Sequence, residues 1–149
     1  MRRYNAGMEA RYSGHSVYRT EYHIIWVTKY RRKALSPGFA KYTDLVLREI
    51  VKRIEAVEVV ELNVQPEHVH TVLIIPPKYA VSKVVEILKS QSTKVVRKKF
   101  DWLDKVYYGT KSLWSVGYFV STIGLDEQMI RRYVKYQQNQ DSGQAKLEF

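Results

Sequence analysis

A chain of 149 residues, 45% hydrophobic and without an extended low-complexity tract, is long enough for one domain with its own core. It has no cysteine, which excludes disulfides, thiolate nucleophiles and cysteine-based zinc sites; no apolar run approaches the ~20 residues of a membrane helix and no stretch has signal-peptide order, so a cytoplasmic protein with no membrane partner is expected. Lys+Arg 25 against Asp+Glu 15 leave a net charge of +10, an excess that points to a polyanionic partner and to nucleic acid first.

In chain order, the first fourteen or so residues mix charge, glycine and asparagine without periodicity, and a flexible N-terminal arm is expected over residues 1–17. Tyr22-His23-Ile24-Ile25-Trp26-Val27-Thr28 is β-branched and aromatic, the composition of a core strand. It runs into Lys29-Tyr30-Arg31-Arg32-Lys33, four cations around one aromatic, which suits phosphate neutralisation and base stacking as well as it suits a solvated strand end. Ser36-Pro37 reads as an N-cap with proline at the first helical position. Phe39, Tyr42, Val46, Ile50 and Ile54 then form the apolar stripe of a helix, with Lys41, Arg48, Lys52 and Arg53 mostly off it.

Val57 to Val64 reads as a strand whose apolar phase changes between Val59 and Val60, the mark of a bulge or twist. The Gln65-Pro66 turn leads into a second strand, ended by Pro76-Pro77 because proline has no N–H for the ladder. A helix from Ala80 turns Val81, Val84, Val85, Leu88, Ser92 and Val95 inward and carries Lys83, Lys89, Lys94, Arg97, Lys98 and Lys99 outside. Of these, Lys89, Lys94 and Arg97 join residues 29–33 as candidate contacts to DNA or RNA, beside the reading of a solvated face. Gly109-Thr110-Lys111-Ser112 resembles the end of a phosphate-binding loop but lacks the earlier glycine and precedes a strand, so no nucleotide cofactor is expected. Trp114 to Ile123 is the last strand, stopped at Gly124; Asp126 then caps a final helix, with Glu127 well placed against its dipole. Residues 141–149 form a polar tail.

The order strand, helix, strand, strand, helix, strand is the split βαβ pattern of the ferredoxin-like and RRM-like α+β folds, an antiparallel sheet with two helices on one face, here followed by a C-terminal helix within a domain of residues 18–140. Two pairs of side chains on this frame carry chemistry. His68 and His70 flank Val69 at the start of a strand, and residues two apart on a strand share a face, so both imidazoles are able to grip one metal ion. On the last helix Met129, Ile130, Tyr133, Val134 and Gln137 share the inner face, and Tyr133 and Gln137, one turn apart, direct a phenol and an amide oxygen at one point. Tyr136 and Gln140 offer the same spacing nearer the fraying end.

His68-Val69-His70 is the His-hydrophobe-His motif of the HUH endonuclease superfamily. Together with the Tyr22–Thr28 strand leading into Lys29-Tyr30-Arg31-Arg32, the segment Pro66-Glu67-His68-Val69-His70, the Pro76-Pro77-Lys78-Tyr79 turn, the Trp114–Gly124 strand and the Tyr133/Gln137 helix, residues 18 to about 140 closely resemble the small single-tyrosine transposases of bacterial and archaeal insertion sequences. The resemblance implies an enzyme that nicks and rejoins single-stranded DNA beside hairpins at element ends through a 5′-phosphotyrosine, working as a homodimer. It implies Tyr133 as the nucleophile and His68, His70 and Gln137 as ligands of a divalent ion, for which imidazole and amide donors suit Mg²⁺ or Mn²⁺. No proton acceptor for the phenol is assigned among His23, the lysines and solvent.

Three other readings stand beside it. A non-catalytic RRM-like module would stack single-stranded nucleic acid on an open sheet face through Trp26 and Tyr118. A histidine metallohydrolase would use activated water and not need Tyr133. A domesticated relative would process repeated chromosomal hairpins.

Overall fold

The computed structural model describes residues 9–29, 37–101 and 112–141. Tyr30, Arg31, Arg32, Lys33, the Ser36 cap and most of the 101–111 loop lie outside them. Within them, a hairpin of β1 (Arg11–Ser13) and β2 (Ser16–Tyr18) precedes β3 (Glu21–Val27), α1 (Pro37–Lys52), β4 (Glu58–Val64), β5 (His68–Ile74), α2 (Val81–Lys99), β6 (Phe119–Ser121) and α3 (Glu127–Asp141). The last four strands in this series of β3 to β6 make one antiparallel sheet in the order β4-β5-β3-β6. The fold is the α+β arrangement expected.

Four local expectations are corrected. Residues 11–18, assigned to an arm without periodicity, pair as the β1–β2 hairpin, and Arg11 Nε donates to Glu58 Oε2 of β4 at 2.8 Å. The Trp114–Ile123 strand shortens to three residues: Trp114 makes only an isolated bridge to Thr28, and Gly117, at φ +94°, takes a left-handed turn that breaks the ladder. On α2 the inward residue of the last turns is Val96, not Val95, which is exposed. Helix α3 extends through Asp141, one residue into the expected tail. The phase change in β4 is a true irregularity, a register shift between Val59 and Glu61 that leaves Val60 as the extra residue.

The alternation of β3 and β5 divides the core in two. Ile24, Trp26, Val69 and Leu73 face α1 and α2, meeting Phe39, Leu47, Ile50, Val84, Val85 and Leu88 in the main cluster. Ile25 and Val27 face the other way, against Tyr133 and Val134 of α3, with Phe119, Leu125 and Ile130 packed around them. The sheet therefore has helices on both faces, two on one and α3 on the other. Trp26, cast above as a stacking platform, is fully buried on the α1/α2 side with its ring 6.0 Å from that of Trp114 in an edge-to-face pair, and Tyr118 packs at the edge of the same cluster. The stacking face required by the RRM-like reading is thus core. Trp26→Ala should cost about 3–5 kcal/mol in equilibrium urea unfolding; a cost under about 1 kcal/mol would show that the indole does not hold the two layers together.

Candidate active site

The β3–β5 register pairs Val27 with His68 and Ile25 with His70, so the two imidazoles emerge on the face that α3 covers. Burial lowers the pKa of both; Glu67 opposes this at His68 and Glu61 opposes it at His70, while His70 and His23 respectively add to the lowering. Both are therefore neutral, ligand-competent imidazoles at neutral pH. Among the described residues, His68 Nδ1 and His70 Nε2 are buried without a hydrogen-bond partner, as is Nδ1 of His23, whose ring centroid lies 6.0 Å from that of His70. Unpartnered buried nitrogens are costly unless something else satisfies them, and a metal ion is the group two imidazoles accommodate best. Glu67 is exposed and acts through its backbone: its carbonyl accepts from the Thr28 N–H at 3.1 Å and the Thr28 hydroxyl at 3.2 Å, tying the turn before His68 to the end of β3.

Helix α3 begins as its sequence dictates, with Asp126 Oδ1 accepting from the Met129 N–H at 2.8 Å. One turn on, the buried Tyr133 hydroxyl donates to Gln137 Oε1 at 3.1 Å. The phenol lies against Phe119 and Tyr136, at ring-centroid distances of 5.6 and 6.0 Å, and its oxygen borders Gly117, where an added Cβ would sit 4.0 Å away. Burial raises the Tyr133 pKa, and Tyr136 and Asp141 raise it further, so the resting group is firmly a phenol. The Tyr136/Gln140 alternative lacks this setting: Tyr136 is only half-buried and Gln140 is exposed.

The two pairs meet different flanks of the same helix. His68 lines a recess of about 350 Å³ with Ile130, Arg131, Val134, Lys135 and Gln138, whereas Tyr133 and Tyr136 look toward β6 and the turn before it. The structure thus brings Tyr133 to Gln137 and His68 to His70. It gives Gln137 Oε1 to the phenol, and among the described residues no group of three or more His, Asp or Glu side chains converges as a metal cage. The two histidines fit a divalent ion, and Gln137 Oε1, accepting once from the phenol, keeps a second lone pair.

Lys29, Lys89 and Lys94 line a cleft of about 630 Å³ between α2 and residues 112–118. Lys94 is exposed, and Arg97, half-buried, lies further along α2. Lys89 is turned inward instead, donating to the carbonyls of Ser115 and Gly117 at 2.7 and 2.9 Å, and burial pulls its pKa down to about 8. Sequence reasoning grouped it with the outer cations because helical spacing does not reveal that a long side chain bends over to cap a turn. It also missed Ser115, whose Oγ is 2.9 Å from Asp141 Oδ2 and 3.3 Å from the Thr28 carbonyl, so the end of α3 is anchored to the same turn.

Residues 16–137 match the family described as "Transposase IS200 like". The chain is 32% identical over 127 residues to the transposase for insertion sequence element IS200 of Salmonella typhimurium, covering 85% of this chain and 82% of that protein. It is 30% identical over 126 residues to the ISDra2 transposase TnpA of Deinococcus radiodurans, covering 84% and 89%. Its fold superposes on the crystal structure of a candidate transposase from Deinococcus radiodurans R1 with a TM-score of 0.73 and 30% identity, covering 91% of this chain and 99% of the other. A βαββαβ frame, a histidine pair on its central strand and a buried tyrosine on the helix that covers them thus coincide with sequence and fold likeness over most of the chain, which belongs to the IS200-like transposase family of DNA-cleaving and strand-transferring enzymes.

Proposed function

We propose that this transposase cuts and rejoins single-stranded DNA at hairpin-bearing element ends, with Tyr133 as the nucleophile and His68, His70 and Gln137 as the ligands of a divalent ion. The observation that carries the reading is the buried Tyr133–Gln137 pair on a helix packed over the histidine-bearing face. In the forward step the Tyr133 oxygen bonds to the scissile phosphorus, the phosphorus–O3′ bond breaks, the 3′ oxygen leaves with a proton, and the phenol proton passes to a base or water. Reversal by a different 3′-hydroxyl rejoins the strand. One phosphodiester is exchanged for another, so no nucleotide triphosphate is required.

A phenol whose pKa burial raises needs activation, and Gln137 Oε1, its present acceptor, is not a base strong enough to supply it. Mg²⁺ or Mn²⁺, when bound by the imidazoles and the amide, supplies Lewis-acid stabilisation of charge on the phosphate and orients it for in-line attack. His68 and His70 contribute neutral nitrogens, kept so by burial. Lys29, Tyr30, Arg31, Arg32, Lys33, Lys94 and Arg97 are the proposed contacts to the DNA backbone and bases. A homodimer belongs to the same reading: the phenol and His68 meet different flanks of α3, and the Gly124-Leu125 link would be the hinge through which a second copy's helix serves the histidine pair.

The experiment incubates the protein with a labelled pool of single-stranded hairpin oligonucleotides and Mg²⁺ or Mn²⁺ and separates products on a denaturing gel. A covalent protein–DNA band is expected, lost with chelator and reduced at least ~10³-fold in Tyr133→Phe. Cleavage that survives in Tyr133→Phe would move the assignment to a metallohydrolase, and tight binding with no cleavage to a binding module. In the dimer, mixing a His68→Ala/His70→Ala double variant with Tyr133→Phe, each inactive alone, should restore the covalent band up to about a quarter of the wild-type level by random subunit exchange if the helix serves its partner. No recovery after demonstrated exchange would assign each site to one subunit.

A further inference from the structure

The turn of residues 115–117 is held from three sides. The Ser115 N–H donates to the Val27 carbonyl at 2.8 Å, Ser115 Oγ meets Asp141 Oδ2 at 2.9 Å, and Lys89 reaches across from α2 to the carbonyls of Ser115 and Gly117. The first contact fixes the turn to the end of β3 and the second fixes the end of α3 to the turn. The third is of another kind, because nothing in simple packing calls for a charged side chain there. Burial alone accounts for the lowering of the Lys89 pKa to about 8, a desolvation cost that a methionine of similar length would not incur. What the amine does in that position is orient two carbonyls of a turn whose third residue is in left-handed backbone and borders the Tyr133 oxygen.

We propose that Lys89 is a positioning residue for the Tyr133 hydroxyl, acting through the Ser115–Gly117 turn rather than by touching DNA. The turn bounds the space beside the phenol oxygen, a Cβ added at Gly117 lying 4.0 Å from it, while Gln137 Oε1 accepts its hydrogen bond. Without the amine, the Ser115 and Gly117 carbonyls lose their shared donor, and Gly117, with no Cβ, has little else to hold its conformation. The turn loosens, and the phenol oxygen loses its boundary on that side while Phe119 and Tyr136 still hold the ring. The inference rests on Tyr133 being the nucleophile, but the geometry it describes does not.

The test therefore has two arms. In the first, the full chain carries ¹³C-labelled tyrosine and the Tyr133 ring signal is assigned by its loss in Tyr133→Phe. Lys89→Met should shift or split that signal while leaving Tyr42 and Tyr79, which pack on the α1/α2 side, unchanged; Lys89→Arg, which keeps the donors, should leave it near the wild-type position. An unchanged Tyr133 signal in Lys89→Met overturns the proposal. If Lys89→Met does not fold, Lys89→Gln, able to satisfy one carbonyl, is read by the same criterion.

In the second arm, the hairpin pool of the adduct assay is used at single turnover. Lys89→Met should lower the rate of covalent band formation by about 10- to 100-fold, with the DNA concentration at half-saturation changed less than about threefold, and Lys89→Arg should recover most of the rate. A rate at the wild-type level, or a loss that lies entirely in half-saturation, would overturn it, the latter by making Lys89 a DNA contact. If the band persists in Tyr133→Phe, the nucleophile assignment fails, and the tyrosine signal alone then decides whether Lys89 positions that phenol.

Discussion

The register between β3 and β5 is the constraint on which the rest of the site depends. Pairing Val27 with His68 and Ile25 with His70 puts both imidazoles and two apolar anchors on one face, and Trp26 and Val69 on the other. A slip of β5 by one residue would turn its histidines into the α1/α2 core and Val69 out of it, so the hydrophobic division of the sheet and the chemistry are fixed by the same ladder. Because Trp26 is wedged against Trp114 and Val69 is fully buried, burying this apolar surface also specifies where the histidines point. Stability and site geometry are one problem here.

The same ladder sets up an opposition in the second layer. Helix α3 must bury Tyr133 and Val134 on Ile25 and Val27 to stay on the sheet, and in doing so it keeps the phenol dry, protonated and turned toward Gly117. The histidines retain nitrogens that no group among the described residues satisfies. In the proposed reaction the phenol and the imidazoles would have to face a common phosphate, with Gln137 Oε1, which now accepts from the phenol, turning its second lone pair to the ion. The short Gly124-Leu125 link into α3 runs close to this face, since a Cβ added at Gly124 would lie 3.9 Å from His23 Cε1.

Much of this was legible in the sequence, and the exceptions have physical causes. The β-branched strands, the bulge in β4, the Asp126 cap and the i,i+4 relation of Tyr133 and Gln137 are local and periodic, so residue spacing reveals them. The identity of the stacking surface was not: an RRM-like platform and a buried tryptophan have the same strand pattern, and only the sheet's two-sided packing shows that Trp26 is core. The last strand was overestimated because the Val116-Gly117 turn reverses backbone hand without any loss of β-forming residues around it. Lys89 was misjudged for a related reason, since a lysine at an outward helical position is read as solvated unless its long stem finds carbonyls on a segment distant in sequence. Val96 replaced Val95 through a small rotation of the stripe along a long helix, which single-residue periodicity does not fix.

The most direct test of the account is to find the atom that carries the DNA. The covalent product formed on the hairpin pool, digested with nuclease and protease and sequenced by tandem mass spectrometry, should carry its residual nucleotide on Tyr133 alone among the twelve tyrosines. A nucleotide on Tyr136 or on any other residue would contradict the assignment of the buried Tyr133–Gln137 pair as the catalytic one.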